Sequence, residues 1–210
     1  MTRVFLGVTG ASGAAYAGGL LRALTRAGCE VGLCVSEAGR QVISHELLGL
    51  GARPTVSGDE ILARFTARYA EGPGPVRVLD LHDMTQPFAS GSSLAPAAVV
   101  APCSMSTLAA IAHGVGGNLV HRCADVMLKE RRTLVLVPRE TPLSLIHLEN
   151  MAAVTRAGAL VLPASPGLYT LPETVGDMVD FVVGKVLDHL GVPHALLRRW
   201  GEAPAVEAVP

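Results

Sequence analysis

Three stretches of this chain carry residue types that hold an anion. Thr9-Gly10-Ala11-Ser12-Gly13 joins an apolar strand over residues 3–8 to a helix opening at Ala14. Free N–H groups at such a helix start, with the Ser12 hydroxyl, form a cradle for phosphate. The arrangement recurs at Pro102-Cys103-Ser104-Met105-Ser106-Thr107, after an apolar run over residues 97–101. The third stretch is Arg139-Glu140, which follows residues 134–137, an all-apolar run typical of a strand buried on both faces. Ligands of open α/β sheets bind at the carboxyl ends of strands. Each loop alone also reads as a plain turn, and Arg139 with Glu140 as a weak surface ion pair. Together they predict one polyanionic ligand lying across a crevice.

Two further groups are compatible with a phosphate. Ser90-Gly91-Ser92-Ser93 offers small hydroxyls and a backbone open to close approach, although its composition is also that of an ordinary polar loop. Arg122 and Lys129 stand seven apart, on one side of a predicted helix. With Arg131, Arg132, Asp125 and Glu130 they equally describe a solvated face. Other chemistries are absent from the pattern. Gly7, Gly10 and Gly13 do not follow Gly-x-Gly-x-x-Gly, and no Gly-Lys-Ser/Thr follows them. The seven histidines are scattered, so no metal site is expected. His147 reads as a hydrogen-bonded structural residue. No Gly-x-Ser-x-Gly elbow is present, and no tyrosine precedes a lysine by four residues.

These loops need a scaffold of alternating strands and helices. The expected order is strand 3–8, helix 14–27, strand 30–35, helix 37–48, helix from Asp59 to about residue 70, and strand 76–81. Strand 97–101, helices 104–113 and 119–129, strand 134–137, a helix entered through Thr141 and Pro142, strand 159–162 and helix 174–190 complete it. Gly28 and Gly158 mark helix ends. This alternation predicts an α/β fold, a doubly wound parallel sheet with right-handed crossovers. At 210 residues, half of them hydrophobic, the chain is expected to form a single domain, with residues from about 203 as a flexible tail. Seventeen basic and eighteen acidic residues leave no nucleic-acid footprint, and no apolar run suits a membrane span. Cys29, Cys34, Cys103 and Cys123 lack Cys-x-x-Cys spacing and suit a reducing, cytoplasmic setting. The apolar average suggests surface buried against other copies.

Several stretches, in order and at matching spacing, resemble the UbiX/Pad-type flavin prenyltransferases over nearly the whole chain. They are Thr9 to Gly13, Ala89 to Ser93, Pro102-Cys103-Ser104, Ala124-Asp125-Val126 with Leu128-Lys129-Glu130-Arg131, Val135 to Glu140, and Ile146-His147-Leu148-Glu149-Asn150-Met151. Pro193 and Arg199-Trp200 also fit. The resemblance implies a Rossmann-like flavoprotein that joins a dimethylallyl group from dimethylallyl phosphate to N5 and C6 of reduced FMN, with no metal. The product is prenylated FMN, the cofactor of UbiD-type decarboxylases. It further implies a homo-oligomer, a dodecamer whose subunits complete one another's pockets. By resemblance, FMN contacts are Gly10, Ala11, Ser12, Ser36, Ser104, Met105, Ser106, Thr107 and Arg139. The prenyl phosphate would meet Ser90, Arg122, Lys129, Glu140, Tyr169 and Lys185, and the catalytic candidates are Ser12, Glu46 and Glu140. Two positions depart from the family: Lys185 where Arg is common, and Met84 where Trp is common. Rival readings are an FMN-dependent cysteine decarboxylase of the same architecture and a flavin-binding subunit without chemistry.

Overall fold

The computed structural model describes residues 2–92 and 95–197, so Ser93, Arg199, Trp200 and the tail from about 203 lie outside the described residues. Six parallel strands form one sheet: β1 (Arg3–Val8), β2 (Glu30–Val35), β3 (Val76–Leu79), β4 (Ala97–Cys103), β5 (Thr133–Pro138) and β6 (Leu160–Val161). Their spatial order is β3-β2-β1-β4-β5-β6. The helices are α1 (Ala14–Arg26), α2 (Glu37–Glu46), α3 (Gly58–Tyr69), α4 (Met105–Ala112), α5 (Leu119–Lys129), α6 (Leu145–Ala157) and α7 (Val175–Leu190). No helix among the described residues is long and apolar enough to cross a membrane.

The sheet is apolar on both faces because alternate residues feed two cores. Val4, Leu6 and Val8 of β1 join Leu20, Leu21 and Leu24 of α1, Phe65 of α3 and Val183 of α7. Phe5 of β1 and Val100 of β4 instead meet Leu108 of α4, Leu119 and Met127 of α5, and Val154 of α6. A strand covered on both sides has no polar face to display, which accounts for the unbroken apolar runs in sequence.

Strand order reverses between β1 and β4, the switch point where open α/β sheets leave a crevice. Thr9 closes the gap there. Its N–H donates to the Pro102 carbonyl at 3.1 Å, and its hydroxyl donates to the same oxygen at 2.9 Å. That hydroxyl also accepts from the Ser104 N–H at 2.8 Å. Thr9 is only 2% exposed, so the ends of β1 and β4 are cross-linked out of water.

Two helix starts differ from the sequence expectation. Ser57, not Asp59, caps α3, its hydroxyl accepting from the Glu60 N–H at 3.2 Å, while Asp59 lies in the first turn beside Arg40. Thr141 and Pro142 do not open α6. The Thr141 hydroxyl donates back to the Glu140 carbonyl at 2.8 Å, and the helix begins after Ser144. Ser144 accepts from the His147 N–H at 3.2 Å, and His147 Nδ1 accepts from the Ser144 N–H at 3.3 Å. This reciprocal box satisfies two donors that a Thr141 start would leave open. Strand β3 stops at Leu79 because the Asp80 carboxylate accepts from the His82 N–H at 2.7 Å, turning the chain.

Replacing Thr9 by Val keeps the shape but removes both hydroxyl bonds and leaves the half-buried Ser104 N–H without its partner. Thr9→Val is expected to cost about 1–3 kcal/mol in denaturant unfolding. An unchanged unfolding midpoint would show that the hydroxyl does not hold the switch point.

Candidate functional site

Three helices aim their amino ends at one cleft beside the switch point. Ser36 caps α2, accepting from the Gly39 N–H at 3.1 Å. Ser104 caps α4, accepting from the Thr107 N–H at 3.2 Å, and Asn118 caps α5, accepting from the His121 N–H at 3.0 Å. All three caps line a hollow of about 430 Å³ with Thr9, Gly10, Ser106, Thr107 and His121. Helix amino ends carry partial positive charge, so their convergence favours an anion, although the Glu37 carboxylate also lines the hollow. The Ser104 hydroxyl also lies 3.0 Å from those of Ser106 and Thr107, which makes the wall a row of small donors. Met105 turns its side chain into the core, leaving its backbone at this wall.

Gly10 is required by packing. A Cβ there would stand 2.5 Å from that of Ala38 on α2. A side chain at position 39 would likewise stand 2.6 Å from the Val8 carbonyl oxygen. These two close approaches bring α2 and Ser36 against the first loop.

The start of α1 is not the open cradle expected from sequence. Glu46, from the last turn of α2, reaches back so that one carboxylate oxygen accepts from the Gly13 N–H at 2.9 Å and the Ala14 N–H at 2.8 Å. A carboxylate at a helix amino end is itself favourable, so the protein supplies its own anion there. The open amino ends are those of α2, α4 and α5. Ala11 is buried beside this turn and Ser12 is exposed.

Arg139 does reach the first loop. Its Nε donates to the Ser12 carbonyl at 3.2 Å, joining the ends of β1 and β5 across β4. Burial pushes the Tyr16 phenol above its ordinary pKa, against the opposing pull of the Arg139 charge. Arg139 and Glu140 line a smaller hollow of about 140 Å³ with Pro138, Met151 and Ser165. Glu140 accepts from the Thr141 N–H at 3.1 Å.

The residues expected around a prenyl phosphate fall into two groups. Ser90, Arg122 and Lys129 form the first. Arg122 Nε donates to the Ala89 carbonyl at 3.0 Å while its Nη1 pairs with Asp125 at 2.6 Å, and Lys129 pairs with Glu130. The Ser90 hydroxyl lies 2.8 Å from that of Ser92. Ser90 to Ser92 precede β4 in the chain, and Lys129 precedes the amino end of β5. The second group is Glu140, Tyr169 and Lys185, of which Glu140 and Tyr169 follow the carboxyl ends of β5 and β6 in the chain. Tyr169 is 61% exposed and set edge-on to Phe181 of α7 at 5.8 Å, and Lys185 is one turn further along α7 on the same side. Six residues of β5 lie between Lys129 and Glu140, about 20 Å of extended chain. One chain does not bring Lys129 and Glu140 together.

Asn118 and His121 were not foreseen as site residues. Asn118 ends the glycine-rich stretch Gly114-Val115-Gly116-Gly117-Asn118 and is an ordinary capping residue until α5 is seen beside α4. His121 Nδ1 is buried with no hydrogen-bond partner, and burial pushes its pKa down, so the ring is uncharged at neutral pH. Met84, one of the two departures, is 43% exposed on the turn after β3.

Comparison with known proteins agrees with this architecture. The flavoprotein family profile matches residues 1–187. The flavin prenyltransferase UbiX of Halalkalibacterium halodurans is 49% identical over 197 residues, covering 94% of this chain and 92% of the relative. A crystal structure of AnUbiX (PadA1) in complex with FMN and dimethylallyl pyrophosphate superposes with a TM-score of 0.82. It is 39% identical and the match covers 97% of this chain and 99% of that one. A dodecameric FMN-dependent UbiX-like decarboxylase from Escherichia coli O157:H7 gives a TM-score of 0.81 at 40% identity, covering 96% and 100% of the two chains. With its sheet order, its switch-point cleft and these relatives, the chain belongs to the flavoprotein family and, within it, to the UbiX flavin prenyltransferases.

Proposed function

We propose that this protein transfers a dimethylallyl group from dimethylallyl phosphate to N5 and C6 of reduced FMN, and that the prenylated product serves a UbiD-type decarboxylase. The observation that carries this reading is the convergence of three capped helix amino ends on one cleft in a chain nearly half identical to a flavin prenyltransferase. The cleft fits FMN. Its wall of hydroxyls and N–H donors suits the phosphate and ribityl chain, and Gly10 at its edge adds no side chain to the hollow. When bound, the reduced flavin supplies the nucleophilic nitrogen and the neighbouring ring carbon.

The residues of this chain then divide the work. Ser36, Ser104, Ser106, Thr107 and the backbone of Met105 anchor the flavin phosphate end, and Arg139, held at Ser12, closes the first loop over it. Arg122, Lys129 and Lys185 stabilise negative charge on the departing phosphate, a task that needs positive side chains and no metal. Ser90 and Tyr169 offer hydroxyls to that phosphate. Glu140 accepts a proton shed by the acceptor, and Glu46 holds the turn that carries Ser12. Lys185 provides a point charge where a forked guanidinium is common in the family.

The separation of the two phosphate-binding groups supports an oligomer. If both act on one ligand, Ser90, Arg122 and Lys129 come from one copy, and Arg139, Glu140, Tyr169 and Lys185 from others. The exposed Leu145, Ile146 and Leu148 of α6, with Leu168 and Leu171 near Tyr169, provide apolar surface for such contacts. A dodecamer built from one flavin-binding domain per chain, in the cytoplasm, is the assembly we assign. Peptidyl-cysteine decarboxylases resemble the chain in fold alone.

Incubation with reduced FMN and dimethylallyl phosphate should yield a flavin heavier by one five-carbon unit in mass spectrometry. Recovery of unmodified flavin would leave a binding subunit. Glu140→Gln should bind FMN normally but slow prenyl transfer by roughly 10²-fold, and undiminished turnover would remove Glu140 from the reaction. Glu46→Ala should lower unfolding stability by about 1–2 kcal/mol, since it uncaps α1. Glu46→Gln, which keeps one acceptor oxygen, should cost markedly less, and equal losses would show that the cap is not what Glu46 provides.

A further inference from the structure

We propose that Arg132 is a positioning residue of the prenyl-phosphate group: its guanidinium bonds the backbone of the Ser90 loop and so sets Ser90 against Lys129. The inference rests on the function proposed above.

The Ser90 loop has little to hold it by its own side chains, since Ser90, Gly91 and Ser92 bring no apolar anchor. Its carbonyls are taken up by arginines instead. Arg122 holds the Ala89 carbonyl, and Arg132 donates through Nη2 to the Gly91 carbonyl at 2.8 Å and through Nη1 to that of Ala95 at 3.4 Å. The fork of Arg132 thus spans the loop from one side to the other. A point-charge lysine has no such geometry.

The local backbone aims Arg132 there. At the end of α5 the Arg132 N–H donates to the Met127 carbonyl at 2.8 Å and the Arg131 N–H to that of Leu128 at 3.1 Å. Arg131 occupies the left-handed position between them, with φ 53°, a place where glycine is usual. The helix end therefore folds back and sends Arg132 under the loop, not into solvent. On the loop side, Gly91 lies so close that a Cβ would clash with Glu130 Oε1 and stand 2.7 Å from Lys129 Nζ. The Arg132–Gly91 bond and this close approach hold the residue after Ser90 against the Lys129–Glu130 pair.

Arg132→Met keeps an apolar stem and removes the fork. Calorimetry with dimethylallyl phosphate on FMN-loaded protein should show Kd raised about tenfold, as loss of charge-assisted bonds implies. Turnover should show the same rise in KM, with kcat at saturation and FMN affinity unchanged. Arg132→Lys should fall between Met and wild type. Gly91→Ala perturbs the same spacing from the other side, with the Arg132 side chain kept, and should raise Kd in the same sense. It decides the matter if Arg132→Met fails to fold. Kd and KM within about twofold of wild type, the range of a neutral surface change, would overturn the proposal. So would a parallel loss of FMN affinity, kcat and melting temperature, the mark of a general structural role. Donor binding without prenyl transfer in the wild type would sink the proposed function while leaving Arg132 testable by calorimetry.

Discussion

The switch point depends on one hydroxyl. Thr9 Oγ1 gives its proton to the Pro102 carbonyl and receives that of the Ser104 N–H, so two strands that are neighbours in space but 93 residues apart in sequence end at one fixed level. Everything that lines the cleft is measured from that level. Ser104 caps α4 in the residue that Thr9 holds, and Gly10 follows Thr9 directly into the contact with Ala38. Buried and doubly bonded, this hydroxyl has no alternative partner in water, which is why a small polar residue inside an apolar sheet is tolerated.

Much of the scaffold was legible because burial on two faces writes a plain pattern. The limits of β1 and β2, the span of α5 and the glycine stops at Gly28 and Gly158 follow from local residues alone. What sequence could not reveal were choices settled by distant or competing partners. Glu46 lies more than thirty residues from the N–H groups it accepts, so the first loop read as an empty cradle. Thr141 and Ser144 are both acceptable caps, and only the His147 ring, closing the box, decides between them. Ser57 and Asp59 compete in the same way, and the shorter side chain at the right backbone angle prevails. The site residues were named through family resemblance. Their grouping into two ends of the sheet needed the strand directions.

That grouping gives the two halves different physical characters. The half at the carboxyl ends relies on backbone dipoles and hydroxyls, with a single arginine tied to a carbonyl. The other group relies on Arg122 and Lys129, each already matched by a carboxylate, Asp125 and Glu130. Lys129 pulls the Glu130 carboxyl below its ordinary pKa, so this counter-charge persists through mildly acidic conditions. An incoming phosphate must therefore compete with Asp125 and Glu130 in one half, and in the other it meets Glu37 at the cleft wall and Glu46 at the start of α1.

The convergence of α2, α4 and α5 also decides how the protein responds to its solvent. Ser36, Ser104 and Asn118 do not titrate in the range where proteins are folded, and His121 is held uncharged beside them. Fixed dipoles inside a cleft are little affected by mobile ions, whereas exposed ion pairs weaken once the Debye length shrinks to about 8 Å at physiological ionic strength. Brine would thus loosen the grip on the smaller phosphate before that on the larger ligand, leaving a carrier that keeps its load even when it cannot modify it.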